Sequence, residues 1–438
     1  MNYFKRDIEL ELLNWRNSDE HKPLLIRGAR QVGKTTTVRS LAKQFKHYIE
    51  VNFEQSADAA LVFSGNLDPK RICQDLSVLF NTPIAEGETL LFLDEIQSCL
   101  PAISSLRFFY EQMPGLHVIA TGSLLEFALA ELPSYGVGRI ESLFMYPMSF
   151  REFLNANNAN MLQQAIASSS PLNPLSAPLH QRALEFFRRF LILGGMPKVV
   201  SLYVEKGNIL LCQKQLDSLI NSYEDDFAKY KQRTPVSVVR EVFRSVVAQN
   251  GKKFVHAKAA QELSSWQVKV GLELLVLSGV VIPVTQSAAN GIPLGAEINP
   301  KNRKYLVFDT GIFQRINRLD IADVLLRVDF EVINKGAIAE LFVGLELIKS
   351  ASCYQRQELY YWHREAKSSN AEVDFLVQKD GKILPVEVKS GKKGSMQSLY
   401  LFLESKKIST GVRTSLENFG VIDKIQIYPL YAVGHLVS

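Results

Sequence analysis

The chain has 438 residues, too many for one ordinary core, and this length predicts roughly two to four domains of about 100–200 residues each. Hydrophobic residues make up 47% and charged residues 22%, a composition that excludes disordered and fibrous proteins. The net charge of +5 is compatible with contact to nucleic acid but does not by itself indicate it.

Four cysteines lie far apart, without the spacing of a disulfide framework or a zinc site: Cys73, Cys99, Cys212 and Cys353. The first ten residues carry charges where a signal peptide needs an apolar stretch. The most apolar run, residues 272–284, is too short to cross a bilayer. We therefore expect a cytoplasmic protein with reduced thiols, no zinc and no membrane partner.

Short apolar runs alternate with helical patterns between Pro23 and Ser123, beginning with PLLI and ending with HVIATGS. Such alternation is typical of βαβ units, in which helices cover both faces of a parallel sheet. The sequence therefore predicts an α/β domain with a parallel sheet over residues 1–154.

A phosphate-binding loop is predicted where the first apolar run ends. Residues 28–35 read GARQVGKT and fit the pattern G-x-x-x-x-G-K-[ST] between a strand and a helix. In such a loop the backbone N–H groups bind phosphates, the lysine reaches the β- and γ-oxygens, and the hydroxyl ligates Mg²⁺. The residues predicted to bind ATP are Gly28, Ala29, Arg30, Gln31, Val32, Gly33, Lys34, Thr35 and Thr36.

An acid pair, Asp94 and Glu95, follows the apolar run LLFL. Open α/β sheets bind ligands at the carboxyl ends of their strands, so Asp94 is predicted to complete the Mg²⁺ shell with Thr35. Glu95 is predicted to polarise the attacking water, with Lys34 stabilising the transferred phosphoryl group. The alternative is that Glu95 only caps the strand, in which case the chain binds ATP without hydrolysing it.

Three further residues are candidates for catalysis. Thr121 and Ser123 end the next strand and either contact the γ-phosphate or the attacking water, or only cap the strand. Arg139, in the stretch GVGR, is either an arginine finger acting within or between subunits or a solvated loop residue.

The middle of the chain divides into three segments. Residues 155–180 are rich in Asn, Ala, Ser and Pro and predict a surface insertion or linker. Residues 181–234 predict helices, with a break at the GGMP of residues 194–197. Residues 235–310 predict three helices followed by strands, an order that favours a winged helix.

Residues 325–438 predict a second α/β domain that contains a hairpin. Asp380-Gly381 separates two alternating runs, a strong signal for a two-residue turn. The register counted from this turn pairs Gln378 with Ile383, Phe375 with Val386, Asp374 with Glu387 and Glu372 with Lys389. The four charged side chains of these pairs are then expected on one face of the hairpin.

Directly opposed carboxylates about 5 Å apart repel each other, so Asp374 and Glu387 need a compensating cation. A divalent metal would serve, with Lys389 orienting a water for phosphodiester hydrolysis. Glu340, in the apolar helical pattern GAIAELFVGLEL, is a third candidate ligand. The alternatives are a hydrated hairpin face on which Lys389 pairs with Glu372, and a helix-surface glutamate at position 340.

Together the motifs GARQVGKT, LLFLDEIQ, TGSLL, PMSFREFL, LGGMP, EVDF and PVEVKSG resemble those of the widespread prokaryotic AAA-type ATPases whose C-terminal half is a domain of unknown function. The resemblance covers nearly the whole chain apart from residues 155–180. It implies that ATP and Mg²⁺ are the cofactors. It also implies a C-terminal fold similar to restriction endonucleases of the PD-(D/E)xK kind, whose acids and lysine match Asp374, Glu387 and Lys389.

Three functions stay open on the sequence. The leading one is an ATPase that acts as a molecular switch coupled to a winged helix and a nuclease-like module. The second is an ATP-regulated, metal-dependent nuclease acting on DNA or RNA, and the third is a DNA-binding scaffold without catalysis. The partner is a nucleic acid or a protein, and the oligomeric state is left open.

Overall fold

A computed structural model describes residues 3–123, 125–132, 136, 138–230, 234–259, 262–318, 335–366, 369–391 and 395–437. The chain forms two compact units. The N-terminal unit comprises Lys5–Tyr146 and Cys353–Arg356. The C-terminal unit comprises Met1–Phe4, Pro147–Ser352 and Gln357–Ser438. The predicted beginning of the last domain, residues 325–334, lies outside the described residues.

The N-terminal unit contains a parallel five-stranded sheet in the order β2-β3-β4-β1-β5, which confirms the predicted α/β class. Its strands are β1 (Leu24–Arg27), β2 (His47–Asn52), β3 (Thr89–Asp94), β4 (His117–Thr121) and β5 (Glu141–Phe144). Its helices are α1 (Ile8–Arg16), α2 (Lys34–Ala42), α3 (Ala57–Val62), α4 (Pro69–Leu79), α5 (Leu100–Gln112) and α6 (Leu125–Glu131). Every residue of β3 and β4 is buried, as expected for central strands covered on both faces.

The sheet order places the functional loops. Because β4 lies between β1 and β3, the carboxyl ends of these three parallel strands are neighbours at one edge of the sheet. The loop after β1, the acids after β3 and the polar residues after β4 therefore meet there, as ligand sites in open α/β sheets do.

The C-terminal unit combines helices with a mixed eight-stranded sheet in the order β12-β13-β11-β10-β9-β8-β6-β7. Its helices are α7 (Phe150–Ala156), α8 (Asn160–Ala167), α9 (Ala177–Leu193), α10 (Pro197–Lys206), α11 (Ile209–Asp226), α12 (Val236–Ala248), α13 (Ser265–Leu277), α14 (Thr310–Ile316), α15 (Lys335–Lys349) and α16 (Gln397–Lys406). Its strands are β6 (Val281–Ser287), β7 (Ile298–Val307), β8 (Leu359–Ala366), β9 (Ser369–Lys379), β10 (Lys382–Val388), β11 (Gly411–Ser415), β12 (Gly420–Ile422) and β13 (Ile425–Pro429).

The segment 155–180 is more regular than its polar composition predicts, since it holds α8 and the start of α9. Leu162 and Ile166, four residues apart on α8, are both buried. This pair anchors the helix, so the segment is not a structureless linker. The predicted break at residues 194–197 does separate α9 from α10, and Gly194 has the left-handed φ of +74° there.

The strands predicted as the wing of a winged helix belong to the large sheet. β6 and β7 form an antiparallel pair, and β6 also pairs in parallel with β8. β6 and β7 thus extend the sheet that carries the hairpin. Among the described helices, none combines the length and the apolar character that crossing a membrane requires.

Candidate functional site

The phosphate-binding loop takes a backbone shape that only glycine permits at two positions. Gly28 has a φ of +150°, and a Cβ there would lie 2.1 Å from the carbonyl oxygen of Met145. Gly33, immediately before α2, has a φ of +108°. Because position 28 has no side chain, the loop packs closely against Met145, and the conformation of Gly33 lets the chain turn directly into α2. Backbone N–H groups of such a loop are suited to bind phosphates.

Lys34 is buried, and its Nζ donates hydrogen bonds to the carbonyl oxygens of Gly28, at 2.8 Å, and Ala29, at 2.9 Å. Burial lowers the pKa of Lys34 to about 8, while the charges of Glu95 and Asp94 oppose the decrease. The ammonium is thus held inside the loop and close to two acids.

Asp94 gathers the groups suited to hold Mg²⁺. Its carboxylate accepts hydrogen bonds from Oγ1 of Thr35, at 3.2 Å, from Oγ1 of Thr121, and from the backbone N–H of Glu95 at 3.1 Å. Burial raises the pKa of Asp94, and the hydrogen bond from Thr121 counteracts part of that shift. A carboxylate beside a threonine hydroxyl is a set of hard oxygen donors, so these residues fit Mg²⁺.

Glu95 is oriented by two neighbours. Its backbone has a φ of +51°, which is uncommon for a residue with a long side chain. Its Oε2 accepts hydrogen bonds from Nε2 of Gln97, at 2.7 Å, and Oγ of Ser123, at 3.3 Å. Thr121 and Ser123 are therefore both brought to the acid pair. Gln97 was not among the residues predicted for the site, although it lies in the motif LDEIQ.

Arg139 is placed differently. Its Nε forms an ion pair with Glu111, and about half of its side chain is exposed. None of the contacts described for it involves the phosphate-binding loop. The role of Arg139 as an arginine finger, within or between subunits, stays a prediction.

Arg6 is a residue of this site that the sequence did not predict. It is buried, and its guanidinium donates hydrogen bonds of 2.8 Å to the carbonyl oxygens of Val32 in the loop and Tyr146 after β5. Nothing in the local sequence around position 6 indicates this contact, because both acceptors are backbone atoms of distant segments.

The predicted hairpin of the C-terminal unit is confirmed. Asp380 and Gly381 have φ values of +49° and +71°, as a two-residue turn of this kind requires. Gln378 pairs with Ile383 and Phe375 pairs with Val386, as counted from the sequence. The carboxylate of Asp374 accepts a 2.7 Å hydrogen bond from the backbone N–H of Val388, beyond the last paired residues.

The charged face of this hairpin is organised around a lysine that was not predicted to belong to it. Lys304, on β7, is fully buried. Its Nζ donates to Oε1 of Glu340 at 2.8 Å and to Oε1 of Glu372 at 2.5 Å. Lys389 donates to Glu387 at 2.7 Å, and not to Glu372 as the alternative interpretation held. We call Lys304, Glu340, Glu372, Asp374, Glu387 and Lys389 the acidic cluster.

Burial raises the pKa of Glu340 and, to about 7, that of Glu387, where the charge of Asp374 adds to the effect. Burial would lower the pKa of Lys304, but the charges of Glu340, Glu372 and Asp374 outweigh it and raise the value. The ammonium therefore stays charged among the acids.

Within the described parts of the chain, no group of three or more His, Cys, Asp and Glu side chains is arranged to hold a metal ion. Glu340, Asp374 and Glu387 nevertheless lie in one cluster, and a metal site there stays a prediction. Each of these carboxylates already has a protein donor as its partner, and Lys304 supplies the cation between Glu340 and Glu372.

Comparison with known families assigns most of the chain. Residues 20–154 match the family described as AAA domain. Residues 184–323 and 335–433 match two domains of unknown function, DUF8612 and DUF4143. The predicted combination of an AAA-type ATPase domain with a C-terminal domain of unknown function is thereby confirmed.

Among curated proteins, an uncharacterized protein of Methanocaldococcus jannaschii is 24% identical over 392 residues, which span 86% of this chain and 76% of that protein. Among solved structures, the Walker-type ATPase of Pyrococcus abyssi has 17% identity and a TM-score of 0.47, over 72% of this chain and 96% of the other. The Orc1 protein of Aeropyrum pernix in complex with DNA has 13% identity and a TM-score of 0.30, over 74% and 95% of the two chains.

Proposed function

We propose that this chain, which carries an AAA domain at residues 20–154 and the domain of unknown function DUF4143 at residues 335–433, is a Mg²⁺-dependent ATPase acting as a molecular switch. The observation that carries the proposal is the contact of Thr35 with Asp94 beside an oriented Glu95. Mere phosphate binding needs only the loop, whereas hydrolysis needs the metal-binding pair and a residue that positions water.

Each side chain has a separate task in this proposal. Thr35 and Asp94 hold Mg²⁺, which neutralises charge on the phosphates when bound. Lys34 provides a positive charge at the phosphate oxygens. Glu95, fixed by Gln97 and Ser123, accepts a hydrogen bond from the attacking water and aligns it with the phosphorus.

The catalytic assignment is tested by measuring ATP binding and hydrolysis in the wild type, Lys34→Ala and Glu95→Gln. We expect Lys34→Ala to lose both, while Glu95→Gln binds ATP with unchanged affinity and hydrolyses it at least about 100-fold more slowly. Equal hydrolysis rates in all three proteins would refute the assignment. Glu95→Gln that also loses binding would show that Glu95 shapes the loop rather than the water.

The domain organisation supports the role of a switch. The chain joins the AAA domain, which carries the phosphate-binding loop, to two further domains without that motif. We expect amide hydrogen exchange in residues 147–352 to differ between nucleotide-free and ATP-loaded Glu95→Gln protein. The same experiment with Lys34→Ala is the matched control, since this variant should show no response to ATP. Identical exchange in every state would leave an ATPase without a switch.

A nucleic acid is the partner that one surface favours. Trp266, on α13, is 64% exposed, which is unusual for so large an apolar side chain. Lys269 on the same helix and Lys258 on an adjacent 3-10 helix are exposed as well, and Lys269 forms a 3.9 Å ion pair with Glu273. Aromatic rings and lysines together suit bases and phosphates, while a protein partner would not require the positive charge.

Binding of a fluorescent DNA duplex and single strand at several salt concentrations tests this surface. We expect Trp266→Ala and Lys269→Ala each to weaken binding, with the lysine change alone lowering the salt dependence. If neither substitution alters the DNA affinity, the nucleic acid binds at another surface. If the wild type does not bind DNA, the partner is a protein.

A further inference from the structure

We propose that the ammonium of Lys304 is the built-in cation of the acidic cluster, and that it keeps a divalent metal out, so that the cluster does not hydrolyse phosphodiester bonds. This inference is independent of the ATPase proposal, because all residues of the cluster belong to the C-terminal unit.

The position of Lys304 is the first argument. Its Nζ lies within 2.8 Å of Glu340 and 2.5 Å of Glu372, and no part of the side chain is exposed to solvent. It also lies 5.0 Å from the centre of the Tyr361 ring, which offers a further favourable contact to a cation. A divalent ion bound to the same carboxylate oxygens would lie close to the ammonium and be repelled by it.

The carboxylates of Asp374 and Glu387 also have protein donors. Asp374 is engaged with the backbone N–H of Val388, and Glu387 is paired with Lys389. Magnesium demands near-octahedral oxygen coordination at about 2.1 Å. Oδ2 of Asp374 and Oε1 of Glu387 are already engaged with these donors. Oε2 of Glu387 is buried without a hydrogen-bond partner in the described structure.

Lys304 and the acids of the cluster come from different domains. The acids lie within residues 335–433, whereas Lys304 lies within residues 184–323, which match a different domain family. β7 brings the lysine to the acids because its partner β6 pairs with β8 of the hairpin sheet. The cluster therefore joins the two domains by an ion pair, and losing the lysine would leave the buried Glu340 and the partly exposed Glu372 without the cation between them.

The test is Mn²⁺ binding to nucleotide-free protein, followed by electron paramagnetic resonance, in the wild type, Asp374→Asn, Lys304→Met and the double variant. Methionine is an unbranched side chain one atom shorter than lysine, and it carries no charge. We expect the wild type and Asp374→Asn to bind Mn²⁺ identically, because the nucleotide loop contributes equally to both. We expect Lys304→Met to gain one site that the double variant lacks.

Three outcomes overturn the proposal. A Mn²⁺ site in the wild type that disappears in Asp374→Asn would show that the metal binds despite Lys304. A folded Lys304→Met protein without a new site would show that the lysine is not what excludes the metal. If Lys304→Met does not fold, the comparison of wild type with Asp374→Asn still decides the first point. Metal-dependent cleavage of DNA by the wild type but not by Asp374→Asn would overturn the proposal as well.

Discussion

Oγ1 of Thr121 donates a hydrogen bond to Oδ1 of Asp94, which ties the end of β4 to the end of β3. The hydroxyl stabilises the ionised carboxylate and fixes its orientation toward Thr35. A group that orients a metal ligand in this way is typically worth about 10- to 100-fold in metal affinity or activity.

We therefore expect Thr121→Val to lower Mg²⁺-dependent ATP hydrolysis by about 10- to 100-fold, since valine has the same shape without the hydroxyl. Titration of the rate with Mg²⁺ should show a raised half-saturation concentration. Thr121→Ser keeps the donor and should stay near the wild-type rate. A Thr121→Val protein with an unchanged Mg²⁺ dependence would mean that Asp94 does not need this bond.

The lowered pKa of Lys34 predicts how ATP affinity changes with pH. Its pKa is lowered to about 8 by burial, so the free protein loses this charge as the pH rises through 8, whereas phosphate binding requires the charged form. ATP affinity should be independent of this group well below pH 8 and fall by up to about tenfold per pH unit above it.

Calorimetric titration with ATP between pH 7 and about 9.5, in buffers of different ionisation enthalpy, would measure both the affinity and the proton taken up. Lys34→Arg is the matched control, because arginine stays protonated throughout this range and should remove the pH dependence even if it binds more weakly. A wild-type affinity that is flat above pH 8 would indicate that Lys34 remains fully charged in the free loop.

The contacts of Arg6 indicate a link between the N-terminal segment and the phosphate-binding loop. Its guanidinium donates to the carbonyl oxygens of Val32 and Tyr146 from a buried position. Hydrogen bonds to charged groups contribute about 1.5–3 kcal/mol each, so Arg6→Met should destabilise the protein by about 3 kcal/mol or more and weaken ATP binding. Denaturant unfolding and ATP titration measure the two effects.

Arg16→Met removes a cation from the same segment. The guanidinium of Arg16, a partly buried residue, forms solvent-exposed hydrogen bonds to Gln44 and Asn17 and lies 5.1 Å from the centre of the Phe45 ring. It should change stability by less than about 1 kcal/mol and leave ATP binding unaltered. Equal effects of the two substitutions would contradict a specific role for Arg6.

The sequence predicted well those features that depend on contiguous residues. The loop at residues 28–35 carries its own glycines, lysine and hydroxyl, and the turn at Asp380-Gly381 fixes the hairpin register by counting alone. The parallel direction of the strands follows from the alternation of short apolar runs with helical patterns. Glu95 and Asp94 were found because a buried strand ends in them.

Features that depend on distant segments could not be predicted in this way. Arg6 bonds backbone oxygens 26 and 140 residues away, and backbone acceptors leave no trace in side-chain patterns. Lys304 looks like any lysine of the polar stretch KNRK, and only the pairing of β6 with β8 shows that it points at Glu340. The sequence around the hairpin therefore gave no sign that Lys304 belongs to the acidic cluster.

The helix break at residues 194–197 supports a last prediction. Gly194 has a φ of +74°, and a Cβ there would lie 2.1 Å from Oδ1 of Asp309. Asp309 is itself fully buried, and its carboxylate accepts the backbone N–H groups of Gly195, at 2.7 Å, and Ile312, at 3.0 Å. Gly194→Ala would therefore combine an unfavourable backbone conformation with displacement of a buried carboxylate from its donors.

Gly207 offers a matched control, because its φ of +58° is also left-handed but no atom lies within 4 Å of the position that a Cβ would take. Gly207→Ala should cost only the backbone penalty of about 1–2 kcal/mol. Gly194→Ala should cost at least about 2 kcal/mol more, since the displaced carboxylate leaves two buried N–H groups unpaired. Urea unfolding of both variants measures the difference. Equal losses would mean that Asp309 shifts without breaking its hydrogen bonds, and that the glycine is needed for backbone conformation alone.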